Sequence, residues 1–169
     1  IDIKADNVVV NCCITFNNHF NGLKLWGNNS YAINCIVYGN WNDGLVLEGY
    51  LNHYYYILNT AVVYNGWHDH AYAGIVGYDH PSDYSYCEVK NCIFAFNHGC
   101  IFFGDGVDLH SDHNIYFNRE YEELHAFGKS WSREQINNGF FYNATSQGLH
   151  SKALDPLFID VENMDLRLK

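Results

Sequence analysis

One short unit, Asn, five residues, Asn, recurs along this chain and restricts it to very few folds. The copies are Asn11-Cys-Cys-Ile-Thr-Phe-Asn17, Asn34-Cys-Ile-Val-Tyr-Gly-Asn40, Asn59-Thr-Ala-Val-Val-Tyr-Asn65, Asn91-Cys-Ile-Phe-Ala-Phe-Asn97 and, opening on Asp, Asp112-His-Asn-Ile-Tyr-Phe-Asn118. Their first positions (11, 34, 59, 91, 112) are separated by 23, 25, 32 and 21 residues. A constant unit with variable gaps means one structural rung, repeated, with loops inserted between rungs. A second unit follows most copies: Gly22-Leu-Lys-Leu-Trp-Gly27, Gly44-Leu-Val-Leu-Glu-Gly49 and Gly99-Cys-Ile-Phe-Phe-Gly104, with Gly74-Ile-Val-Gly-Tyr78 a degraded version.

Each rung therefore holds at least two short apolar strands divided by Asn and Gly, residues that tolerate the left-handed backbone of sharp corners. Asn side chains stacked from rung to rung can bond to one another and to the corner backbone. The fold that uses such ladders is all-β, a right-handed parallel β-helix in which each rung pairs only with its neighbours. The expected ladders are 11/34/59/91 and 17/40/65/97/118. At about 4.8 Å per rung, five rungs make a stack of roughly 24 Å. An antiparallel sandwich would place turns every ~8–12 residues and would not require Asn at both ends of alternate strands. The rungs occupy 1–118. Residues 119–169 do not repeat and are expected to close the end of the core, which otherwise exposes an unpaired rung. Within them, Ser132 as N-cap, Gln135 three residues on and Gly139 at the exit predict a short helix.

Alternation sets the faces. Positions one, three and five of the first unit are expected to point inward: Cys12/Ile14/Phe16, Cys35/Val37, Thr60/Val62/Tyr64, Cys92/Phe94/Phe96 and His113/Ile115/Phe117. The opposite set, which includes Ile36/Tyr38, Ala61/Val63 and Ile93/Ala95, is too apolar for a solvent face. It calls for a cover: the C-terminal segment, a further domain, or another subunit. In the second unit the inward pairs are Leu23/Leu25, Leu45/Leu47 and Cys100/Phe102. Outward columns then read Lys24, Val46, Val76, Ile101 and Trp26, Glu48, Tyr78, Phe103. The cysteines show no CxxC or zinc-finger spacing. Cys12, Cys35 and Cys92 read as an inward stack, and a Cys12–Cys35 disulfide is the alternative.

Net charge is −10, which argues against a nucleic-acid partner and against electrostatic capture of polyanions. No apolar run reaches the ~18 residues of a membrane span, so no membrane partner is expected. A first residue of Ile1 rather than Met fits a processed product or a fragment. Charged residues are only 17% while aromatics are also 17%, so outward aromatics must form part of the surface. Flat aromatic faces are platforms for sugar rings. The candidates for polysaccharide or oligosaccharide binding are Trp26, Tyr78 and a further column, His19, Trp41, Trp67, His98. Long insertions flank it, and loops on a rigid scaffold commonly carry function. His68 is grouped with Trp67 and Tyr78 on this rim; His68, Asp69, His70, Asp79 and His80 are the polar residues of the loops. A metal reading of the His68-Asp69-His70 triplet lacks a third strong ligand.

The rungs over 7–118 resemble the repeats of the pectate-lyase-like superfamily of right-handed parallel β-helix proteins. The ending His150-Ser…Asp155-Pro-Leu-Phe-Ile-Asp…Asn163-Met-Asp-Leu-Arg-Leu168 is similar to the close of many secreted bacterial members. The resemblance thus implies a secreted or cell-surface bacterial setting. Asn21-Gly-Leu-Lys-Leu-Trp-Gly27 also resembles the segment that carries the catalytic base of family 9 polysaccharide lyases, which places that role on Lys24. Those enzymes hold calcium on an Asp-Asp-Gly-x-Asp-like motif. Here Asn42-Asp-Gly-Leu-Val46 echoes it after Lys24 rather than before, with Asp43 as the remaining metal ligand and Val46 where the last carboxylate belongs. The resemblance implies β-elimination from a uronate polysaccharide, with a base removing the C5 proton and a cation stabilising the enolate-like intermediate. Two other readings stay open. One is a noncatalytic carbohydrate-binding or assembly module, with self-association or another segment on the apolar strand face. The other is a glycoside hydrolase, for which Asp43, Glu48, Asp105 and Asp108 are the carboxylates to search for a pair. Lys24 also has a purely structural reading, a surface ion pair with Glu48 on the next rung.

Overall fold

A computed structural model describes residues 1–48, 52–67, 74–78, 85–99, 101–104, 106–118 and 123–169, with 76–78 placed by their backbone. The chain is a parallel β-solenoid of about five turns. Each turn contributes three strands, and each strand stacks on its counterpart in the next turn, so three parallel sheets run along the axis. The first sheet stacks Asp2–Ile3, Leu23–Leu25, Leu45–Glu48, Ile75–Tyr78, Ile101–Phe103 and Leu124–Ala126, with Lys129–Trp131 added antiparallel at its end. The second sheet stacks Val9–Asn11, Ser30–Ile33, Tyr54–Leu58, Ser85–Lys90 and Val107–Asp112. The third stacks Ile14–Phe16, Ile36–Tyr38, Ala61–Val63, Ile93–Ala95, Ile115–Phe117 and Lys152–Ala153. The repeat units in the sequence are the first and third sheets. The second sheet has no repeating punctuation of its own.

The corner between the second and third sheets is held in every turn by one residue in the left-handed conformation: Cys12, Asn34, Asn59, Asn91 and His113, with φ between 50° and 57°. In the middle three turns this is the Asn that opens the repeat. In the first and last turns the corner falls one residue later than expected, because Asn11 and Asp112 still belong to the preceding strand. Corners at 12, 34, 59, 91 and 113 give intervals of 22, 25, 32 and 22 residues.

This one-residue shift reverses the faces in the two end turns, since strand side chains alternate. Thr15, not Ile14 or Phe16, lies opposite inward Val37, and Thr15 is buried while Ile14 and Phe16 are exposed. In the last turn Asn114 and Tyr116 are buried, and Ile115 and Phe117 face out. Cys13 rather than Cys12 continues the column of Cys35, Thr60 and Cys92. Cys12 stands exposed at the corner, Cys35 is buried, and both thiols are free. In the first sheet, Ile101 and Phe103 turn inward and Phe102, expected there, does not; the register places Phe102 opposite Val76 and Phe103 opposite Gly77. The inward column is then Leu23, Leu45, Ile75, Ile101, Leu124, all 1% exposed or less. With Val37, Val62, Phe94 and Tyr116 from the third sheet and Ala32, Ile57 and Val89 from the second, it fills one continuous core.

Two Asn ladders form. An exposed one links Asn11, Asn34 and Asn59: Asn34 Nδ2 donates to Asn11 Oδ1 (3.0 Å) and Asn59 Nδ2 to Asn34 Oδ1 (3.3 Å). A second, buried from Asn40 onward, runs from exposed Asn18 through Asn40, Asn65 and Asn97, and the Oδ1 of each of the last three accepts the backbone N–H of its counterpart one turn back (3.1, 3.0 and 3.0 Å). Asn18 takes the place expected for Asn17, by the same one-residue shift. Asn118 is buried, and its N–H goes to Glu123 Oε2. The buried ladder also explains the Gly that opens the second unit. A Cβ on Gly22 would lie 2.5 Å from Asn40 Nδ2, and one on Gly44 2.8 Å from Asn65 Nδ2. A third, inward set of polar side chains serves the corner amides: Cys35 N donates to Thr60 Oγ1, Cys92 N to Asn114 Oδ1 and Asn114 N to Ser151 Oγ.

The C-terminal segment covers two surfaces. Helix α1 (Arg133–Asn137) starts at Ser132 with a full capping box to Gln135, and Gly139 takes the left-handed exit. A second helix, α2 (Phe140–Thr145), follows. Trp131, Ile136 and Phe141 join the core at this end. Beyond them Phe158–Asp160 and Asp165–Leu168 form an antiparallel hairpin. It lies over the outer face of the third sheet, where Tyr38, Val63, Ala95 and Phe158 are buried together.

Candidate functional site

Where the chain leaves the third sheet, the residue before each buried ladder Asn is left-handed: Asn17, Gly39, Tyr64 and Phe96. Asn and Gly adopt this conformation readily, whereas an aromatic residue there carries roughly 1–2 kcal/mol of strain. Strain of this kind gathers at functional sites. Tyr64 stacks on Tyr38 (5.7 Å, 11°) and meets Trp67 at 60° (4.6 Å). Trp67 is fixed by its Nε1–H, which donates to Tyr64 O at 2.9 Å, yet the side chain stays 44% exposed. The turn of the C-terminal hairpin forms the facing wall. The Tyr38 hydroxyl donates to the carbonyls of Val161 (2.7 Å) and Glu162 (3.1 Å) and so anchors that turn. Burial, then the neighbouring Tyr64, Asp160 and Glu162, pushes the Tyr38 hydroxyl above its ordinary value, which keeps it a donor.

Between these walls runs an open groove of about 390 Å³, lined by Phe16, Asn17, Tyr38, Gly39, Tyr64, Trp67, Glu162, Asn163 and Met164. Its aromatic faces suit the apolar face of a sugar ring, and Asn17, Asn163 and Glu162 can bond hydroxyl groups. Among the described residues, Glu162 is the single carboxylate in this lining, so they supply no carboxylate pair of the kind glycoside hydrolysis uses.

The other expected site residues are dispersed. Trp41 is exposed and stacks with His19 (5.6 Å, 27°). Trp67 contacts His98 (6.1 Å). The ladder places Gly66, not Trp67, in register with Trp41, because Gly66 follows Asn65 as Trp41 follows Asn40. His68 lies outside the described residues, as do Asp69, His70, Asp79, His80, Cys100 and Asp105. Tyr78 is placed by its backbone opposite Glu48.

Lys24 forms an ion pair with Glu48 on the next turn. Its Nζ also sits 4.1 Å from the centroid of the Trp26 ring, and Lys4 Nζ approaches the same ring at 5.3 Å. Trp26 therefore serves as a cation–π partner, with a lysine where a sugar would stack. The column beside it is not an open platform either, because Val46 is 1% exposed. Phe103, expected in the Trp26 column, is in the core.

Asp43 is buried, and its N–H donates to Asn21 Oδ1. Among the described residues it belongs to no group of three His, Cys, Asp or Glu side chains able to share an ion. Calcium takes six to eight oxygen ligands, and the described residues around Asp43 do not supply a carboxylate set for it. The hydrolase candidates are also split: Asp43 precedes and Glu48 ends the Leu45–Glu48 strand of the first sheet, while Asp108 is on the second sheet and pairs with His110 at 3.3 Å.

The second sheet carries a feature that the repeat pattern concealed. Tyr31 and Tyr56 stack outward (4.4 Å, 9°), and Tyr86 follows with His110 upon it (4.7 Å, 29°). Glu88 sits among them, bonded by Lys90 and by the Tyr86 hydroxyl. Burial and then Glu88 push the Tyr86 hydroxyl up to about 12, while the Lys90 hydrogen bond helps hold the Glu88 carboxyl below its ordinary value. The run Tyr54-Tyr55-Tyr56 was the available signal. These rings are engaged mostly with one another and with charged neighbours.

Comparison with models of known protein families, with curated proteins and with solved structures finds no match to this chain. The functional reading therefore rests on its own side chains and on the resemblance carried by its repeats and ending.

Proposed function

We propose that this protein binds a carbohydrate chain in the groove between the Tyr64–Trp67 corner and the turn of the C-terminal hairpin, and that it does so without cleaving it. One observation carries this reading: Trp67 and Phe16 stay exposed on an aromatic-lined groove whose walls are fixed by hydrogen bonds and whose described lining holds one carboxylate. Glu162 in the groove and the net charge of −10 favour a neutral glycan over a uronate polymer. The lyase reading asks Lys24 to act as a base with calcium nearby. Its engagement with Glu48 and Trp26 favours a structural role instead. The likeness to the pectate-lyase-like superfamily supports polysaccharide as the ligand class and a secreted setting.

The test is titration of the chain with neutral and uronate oligosaccharides, followed by calorimetry or chemical shifts. Trp67→Ala is expected to weaken binding about tenfold, the equivalent of one aromatic stacking contact of ~1.4 kcal/mol. Lys24→Ala should bind as the parent does. Absence of binding at millimolar oligosaccharide, or full binding by Trp67→Ala, sinks the proposal. Calcium-dependent release of an unsaturated, ultraviolet-absorbing product that Lys24→Ala abolishes would favour the lyase instead.

A further inference from the structure

At the corner between the second and third sheets, the first four turns carry Cys12, Asn34, Asn59 and Asn91, and the fifth carries His113. The incomplete sixth turn continues the column. Ile115 pairs with Lys152, so His150 falls in register with His113, and the two imidazoles stack at 4.4 Å and 24°. The residue before this corner, Asp112, points its carboxylate at both rings. Its Oδ2 lies 2.8 Å from His150 Nδ1 and 3.2 Å from His113 Nδ1. All three ligand atoms lie within 4.8 Å of one another.

The frame around them is rigid. The backbone N–H of His150 holds Asp112 Oδ1 at 2.8 Å, leaving Oδ2 as the forward atom. Gly148 N donates to Ser111 O and Lys152 N to Asn114 O, so the strand end and the C-terminal segment are locked side by side. Both rings are about half exposed, which leaves a coordination position open to solvent.

We propose that Asp112, His113 and His150 form a site for a divalent transition ion of the zinc class, which clips the C-terminal segment to the last full turn. Two imidazoles and one carboxylate suit zinc, copper or nickel and disfavour calcium and magnesium, which require more oxygen ligands. In a tetrahedral site with bonds of about 2.0–2.1 Å the ligand atoms stand roughly 3.3 Å apart. The two carboxylate–imidazole distances, 2.8 and 3.2 Å, already come close to that spacing, so a small side-chain rotation suffices to admit the ion. The outer hydrogen bond from His150 N to Oδ1 orients the carboxylate as partners behind metal ligands commonly do. The clip closes across the end of the core, where, among the described residues, the sixth turn has two strands paired to the fifth instead of three. The inference is independent of the sugar groove.

The test uses the full chain carrying Cys12→Ser and Cys13→Ser, which removes two accessible thiols that also take zinc. Zinc at about a hundredfold its dissociation constant should raise Tm by roughly 5–10 °C, with one ion bound per chain by calorimetry. Calcium and magnesium should leave Tm unchanged. Cobalt should give the visible absorption of a tetrahedral ion. His113→Asn restores the corner residue of the middle turns and is expected to fold, yet it should lose the zinc shift and the cobalt spectrum, as should His150→Asn. The proposal is overturned if zinc leaves Tm unmoved, if calcium acts equally, or if both His→Asn chains bind zinc as the parent does.

Discussion

The buried Asn ladder makes a quantitative demand at Asn65. Its side chain is fully buried. Oδ1 accepts from Asn40 N (3.0 Å) and Asn40 Nδ2 (2.8 Å), and Nδ2 reaches Asn97 Oδ1, Val37 O and Val63 O within 3.1 Å. Asn65→Leu nearly preserves the volume and excludes water, so both Asn40 donors lose their acceptor inside the protein. At about 1–3 kcal/mol for each buried unsatisfied group, the loss should be ~4 kcal/mol, a large part of the ~5–15 kcal/mol typical of a domain. With a urea slope near ~2 kcal/mol/M, the unfolding midpoint should fall by about 2 M with little change in slope. Asn59→Gly is the control, because Gly keeps the left-handed corner that Leu would strain. Asn59 forms the same kind of ladder bond to Asn34, but it is exposed, and water can replace the partner. Its loss should be within about 1 kcal/mol. Equal midpoints for the two variants, or an Asn65→Leu chain within 1 kcal/mol of the parent, would show that burial of the ladder is not what stabilises the turns.

Two further outcomes can be checked. Iodoacetamide on the folded chain should label exposed Cys12 ahead of Cys35 and Cys92, whose thiols are raised by burial, the latter to about 12; mass mapping that finds Cys35 or Cys92 labelled as fast as Cys12 contradicts the corner assignment. Arg133 donates to Glu123 Oε1 at 2.8 and 2.9 Å, and Glu123 is only 2% exposed, so Arg133→Met should destabilise by about 2 kcal/mol, reduced from the full buried-pair value because Arg133 is half in solvent; chemical denaturation measures it, and no change would mean water already solvates Glu123.

The legible part of the fold was its punctuation. Asn34, Asn59 and Asn91 announce left-handed corners, and the Gly22 and Gly44 units announce the strands packed against the buried amides. What misled was the doublet Asn17-Asn18 and the Asn11 and Asp112 that precede the true corners at Cys12 and His113. Aligning Cys13-Ile14 with Cys35-Ile36 would have exposed the shift, but two Asn at a spacing of six made the wrong register look complete. The second sheet was invisible because its strands, such as Ser30–Ile33 and Tyr54–Leu58, share no boundary residue. Of the site, Trp67 was readable as an exposed aromatic beside a long insertion. Its partners were not: Glu162 and Asn163 are about a hundred residues away, and only the folding of the C-terminal hairpin onto the third sheet brings them to it.

Successive corners lie 22, 25, 32 and 22 residues apart, yet neighbouring turns pair in the same way across each interval. Register is carried by a few short strands and corner side chains, so a turn is a cassette whose ends are all alike. The stretch 34–58 begins at one corner Asn and stops just before the next. A tandem copy of it would present matching edges to the turns on either side, and the solenoid would lengthen by about 4.8 Å. A protein built this way can change the length of its outer faces in whole-turn steps, leaving the cross-section of its core untouched.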